Sequence, residues 1–121
     1  MTVLTEGRYT AEFLVSEANG ARSRDVVIIA SGEVLEPGTV LGMVTASGKY
    51  VQFDPAAGDG SEAAAAILYE GVDATAADTT RTVLLRDAEV NGGEIVWPDG
   101  ITEPDKTTAI GQLAALGILV R

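Results

Sequence analysis

Residues 25–55, DVVIIASGEVLEPGTVLGMVTASGKYVQFDP, predict a mainly β (α+β) domain built as a bent ribbon, with its helical content confined to one C-terminal helix. The first observation is that short β-branched and aliphatic runs alternate with Ser-Gly and Pro-Gly turn signals. The second is that helix start and stop signals occur together in one place, between Thr102 and Gly117. The third is that the ribbon carries no reactive side-chain set, so it reads as a surface-presenting body.

The ribbon reads as strands over 26–29, 40–44 and 50–53, with bends at Ser31-Gly32, Pro37-Gly38 and Ser47-Gly48. Pro37 presets a turn-like φ, and Gly38 tolerates the positive φ that a following corner often needs. Further on, 54–60 is a loop by composition. Residues 61–68, SEAAAAIL, have helical propensity on paper, yet they are short and bounded by Gly60 and Gly71, so a strand lined by small residues is expected. A turn region at 73–78 leads into a clearer strand over 79–86.

Near the C-terminus, Trp97 precedes a Pro98-Asp99-Gly100 turn. Thr102 then makes an N-cap, with Pro104 in the first turn and Glu103 and Asp105 at the positive end of the helix. Ile110, Leu113 and Leu116, with Ala109 and Ala114 beside them, predict the buried stripe, and Gly117 the helix stop. Ile118, Leu119 and Val120 follow as a terminal strand, expected in the core or between subunits. Trp97, the only Trp, is expected to be a core or interface anchor rather than a ligand-stacking platform.

At the other end, Tyr9, Ala11, Phe13 and Val15 alternate with Thr10, Glu12 and Ser16, a period-two pattern interrupted by Leu14. A small, polar tether at 17–23 follows. This segment reads either as the domain's first strand or as an arm that adds a strand to a partner's sheet edge. The division adopted is residues 1–24 as arm and tether and 25–121 as a single β-rich domain.

Composition narrows the function classes. With 121 residues the chain holds one modest core. It contains no Cys and no His, which removes disulfides, zinc-thiolate sites and the commonest general base. A formal charge of −10 argues against nucleic acid and anionic membranes. No apolar run approaches the roughly 20 residues of a membrane span, and the first residues lack a signal-peptide pattern, so a protein made and used without crossing a membrane is expected. Asp54, Asp59 and Glu62 lack the spacing of a calcium loop. Ser31, Ser47 and Ser61 have no base to activate them, and the Asp87 and Glu89 carboxylates fit a solvated strand end. No enzyme activity, cofactor or metal is expected.

The LEPGTVLG run at 35–42, GKYVQFD at 48–54, Asp59-Gly60 with the small residues to Leu68, IVWP at 95–98 and the ending at 107–120 together resemble the head decoration proteins of lambda-type tailed phages. Their order and spacing extend over about residues 26–121. The resemblance implies a bent-ribbon, β-clip-like domain that forms homotrimers. These would sit at threefold positions on the outer surface of the expanded capsid, bridge capsomers and resist DNA pressure. It also implies synthesis in the host cytoplasm, incorporation into the virion, and both chain ends on the capsid-facing side. Mapped here, the capsid-binding arm includes Tyr9, Thr10, Ala11, Glu12, Phe13, Leu14 and Val15 and meets the major capsid protein. Trp97, Pro98, Ile118, Leu119 and Val120 are the candidate trimer or capsid contacts. A trimmed chain lacking residues 1–16 is expected to fold and trimerise. Alternative readings are a free-standing ligand- or glycan-binding β module and, less favoured with only eight Lys and Arg, a nucleotide hydrolase of trimeric β fold.

Overall fold

Several strands of this chain bury both faces, which explains why their sequences read as continuous apolar runs rather than as alternation. A computed structural model describes residues 13–17 and 23–121. In chain order the elements are β1 (Leu14–Glu17), β2 (Arg24–Ile29), β3 (Val34–Leu35), β4 (Val40–Met43), β5 (Tyr50–Gln52), β6 (Ala66–Leu68), β7 (Val72–Asp73), β8 (Thr79–Leu84), β9 (Ala88–Val90), α1 (Glu103–Ala115) and β10 (Ile118–Val120). The protein is therefore mainly β with one C-terminal helix. The ribbon does not stay open, however: β2, β5, β4, β6 and β8 pair in that order and close into a barrel.

Alternation along the barrel strands divides the apolar side chains between two cores. Leu41, Ala66, Leu68 and Val83 join Ile29, Val72 and Ala74 inside the barrel. Their neighbours Val40, Ile67 and Leu84 point the other way and join a second cluster with Phe13, Phe53, Val90, Ile95, Leu113 and Ile118. A strand such as β6 is consequently buried at all three positions. On β2 the outer side stays uncovered: Val26 is 63% and Ile28 44% exposed, whereas Ile29 is wholly buried.

The expected strand over 61–68 is shorter than predicted. Residues 61–63 form a turn and only Ala66–Leu68 is strand. Small residues are needed there because the backbone of this segment packs directly on β4. Ser61 is buried, and the Ala65 N–H donates to the Leu41 carbonyl at 2.8 Å. A second small sheet pairs β3 with β7 in antiparallel register, Val34 opposite Asp73 and Leu35 opposite Val72.

The helix forms as its caps dictate. Thr102 is extended, and its hydroxyl accepts the Asp105 N–H at 3.4 Å. Beyond the last turn, Gly117 adopts φ +90°, the left-handed conformation that closes the helix. The buried stripe is narrower than predicted. Ala109 and Leu113, four residues apart, are buried, while Ala114 and Leu116 are exposed. Leu116 is the C-cap, where the helix has already run past the core it covers.

Candidate functional site

The first and last strands among the described residues pair with one and the same strand. β9 is flanked on one side by β1, antiparallel, and on the other by β10, parallel. Register assigns the faces. Leu14 lies opposite Val90, and Val120 pairs with Val90 from the other side, so all three turn towards the core. Leu119 pairs with Glu89 and faces outwards, 44% exposed. A bulge between Leu14 and Ser16 sets Val15 on the same outer side, 56% exposed. Between these two apolar side chains, Glu89 accepts from the Arg121 guanidinium, closing the outer surface with an ion pair.

The candidate residues are therefore distributed unequally. Tyr9, Thr10, Ala11 and Glu12 lie outside the described residues. Phe13 is 1% exposed, its carbonyl accepting the Asn91 N–H at 2.8 Å and its ring lying over Gly38. Gly38 has φ +90°, and a Cβ there would come within 3.2 Å of that ring. Phe13 thus belongs to the domain's own core, as Ile118 does at 0% exposure, while Leu14 packs against that core half-buried. Val15 and Leu119 are the ones presented outwards. Phe13, which lies inside the stretch read as arm, is a core residue, so removal of residues 1–16 would take away part of the core.

Trp97 stands apart from this sheet. Its ring packs edge-on against Phe53, centroids 6.5 Å apart, and the Lys106 ammonium lies 5.8 Å from its centroid. It is half-buried, as is Pro98, and serves first as an anchor between the C-terminal segment and the core.

The acidic loop is built for turn formation. Asp59 accepts from the Ser61 hydroxyl at 2.5 Å and the Ser61 N–H at 3.0 Å, and these bonds hold its carboxyl below the ordinary aspartate range. Asp54 accepts from the Ala56 N–H, and Glu62 from the Gly60 N–H. Among the described residues, no three carboxylates are grouped to hold a metal ion.

Sequence reasoning missed β9. Its residues, Ala88-Glu89-Val90, are too short a run to stand out, and only the partners on both sides make it a strand. Asp87, just before it, holds φ +51°.

The described residues thus form a small five-strand barrel with a three-strand sheet, β1–β9–β10, that presents Val15 and Leu119 outwards. Residues 3–118 match the family model of bacteriophage lambda head decoration protein D, and the chain belongs to that family. No curated protein matches the chain. The family is one of structural capsid proteins, not an enzyme class, and membership implies binding to the phage capsid as part of the virion. Among the described residues, no helix is long and apolar enough to cross a membrane.

Proposed function

We propose that this chain is a trimeric cement protein that docks on the outside of the expanded head at threefold positions and stabilises it against the pressure of packed DNA. The contact surface is the outer face of the β1–β9–β10 sheet together with the residues that precede Phe13. The observation that carries this reading is the pairing of β1 and β10 with the two edges of β9, with Val15 and Leu119 exposed on one face. An extended segment entering at β1 would reach the capsid from the side on which the sheet already presents apolar area. Three copies would present three such segments, so weak individual contacts add up through avidity. The net charge of −10 keeps the outer surfaces of virions mutually repelling.

The test is co-sedimentation with expanded capsids of the cognate phage, using the full chain, a chain lacking residues 2–12, and a Val15→Ser/Leu119→Ser variant. Truncation and the double substitution are both expected to weaken capsid binding at unchanged melting temperature. Full binding by both altered proteins would overturn the assignment of the surface. Light scattering across concentration tests the trimer, and a monomer on filled capsids would refute it.

A further inference from the structure

The barrel is not closed equally all the way round. β2 and β8 are paired along six residues, from Arg24 opposite Leu84 to Ile29 opposite Thr79. β4 and β5 share three pairs. The closing seam between β2 and β5 is a single parallel pair, Ile29 with Tyr50, extended by the Ala30 N–H donating to the Tyr50 carbonyl at 3.0 Å. Just beyond that point β2 ends in the Ser31-Gly32 turn, so the ladder has no further main chain to offer β5.

Two carboxylates from elsewhere in the chain take over at this seam. Glu33, past the turn, accepts the Gln52 N–H of β5 at 3.4 Å. Asp78, in the lead-in to β8, spans the gap from the other side. One of its oxygens accepts the Ser31 N–H at 2.8 Å and the other meets the Lys49 ammonium at 2.6 Å. Ser31 follows β2 and Lys49 precedes β5, so Asp78 ties together the two strands that the ladder barely joins.

We infer that the β2–β5 seam is where this barrel opens, and that Asp78 and Glu33 are the side-chain latch that holds it shut. A seam with so few main-chain bonds is the lowest-cost line for local opening, because separating it leaves the β2–β8, β4–β5, β4–β6 and β6–β8 ladders intact. The Asp78 bonds are solvent-accessible, the Glu33 bond is part-buried, and each is individually modest, yet local opening equilibria respond to small changes.

Native-state hydrogen exchange on the full chain tests this. In the unaltered protein the Ala30 and Gln52 amides should exchange faster than the Leu68 and Phe53 amides, which donate to the Thr39 and Val40 carbonyls. Asp78→Ala should speed exchange at Ala30 by about tenfold while leaving Leu68 and Phe53 within about twofold. Asp78→Asn, which keeps an acceptor for Ser31 and loses the ion pair, should fall between. Exchange of Ala30 in step with Leu68 in the unaltered protein would overturn the inference, whatever the variants do. An equal acceleration at all these amides in Asp78→Ala would also overturn it, since that reports global destabilisation rather than an opening seam.

Discussion

Gly42 lies so close to the backbone of Ser61 that a Cβ on it would fall 2.4 Å from the Ser61 carbonyl oxygen and 2.6 Å from its Cα. The obstacle is main chain, with no flexible side chain to move aside. Gly42→Ala should therefore push β4 off the buried Ser61 and destabilise by about 3 kcal/mol. Gly58→Ala, where nothing lies within 4 Å, should change stability by less than about 0.5 kcal/mol. Urea unfolding of the two variants provides the comparison.

The helix distinguishes two leucines three residues apart. Leu113→Ala opens a cavity beneath a fully buried side chain and should cost about 3 kcal/mol. Leu116→Ala removes an exposed C-cap side chain and should cost under about 0.5 kcal/mol. Comparable losses in thermal unfolding would contradict the burial pattern.

Thr102→Ala removes the acceptor for the Asp105 N–H. Because that bond is long, 3.4 Å, the loss should lie near the lower end of the capping range, about 0.5–1 kcal/mol. Thr102→Ser should recover most of it.

Phe13, sealed in the core, separates it from the proposed contact surface at Val15 and Leu119. Phe13→Ala should destabilise by about 3–4 kcal/mol, measured by denaturant unfolding. Val15→Ser and Leu119→Ser should leave stability nearly unchanged and show their effect in capsid co-sedimentation.

Acid should weaken the fold through three carboxylates. Asp59 and Asp73 are held below their ordinary value of 3.8 mainly by the hydroxyls of Ser61 and Thr75, and Asp78 mainly by its bond to Lys49. A depressed folded-state pKa stabilises the fold above the unfolded value, and that contribution disappears as pH falls through the folded value. The melting temperature should hold down to about pH 4 and then fall. Replacing all three with Asn should flatten that fall, and an unchanged slope would rule these groups out.

Much of the fold is legible in the sequence because turn and cap chemistry acts over a few residues. The bends at Gly32, Gly38 and Gly48 carry positive φ, the Thr102 cap and Gly117 stop bracket the helix, and strands lie within the runs read at 26–29, 40–44, 50–53 and 79–86. The surface is less legible. Phe13, Val15, Ile118 and Leu119 look alike in sequence, yet two are sealed in the core and two face outwards.

By itself, then, the sequence determined a mainly β chain with one capped helix and membership of a phage head decoration family. Only the tertiary structure decided that the ribbon closes into a barrel, that β9 joins β1 to β10, and that Val15 and Leu119 are presented while Phe13 and Ile118 are not. The physical reason is range. Turn and cap preferences are satisfied locally, whereas strand partners and the bulge at Val15 depend on residues many positions away.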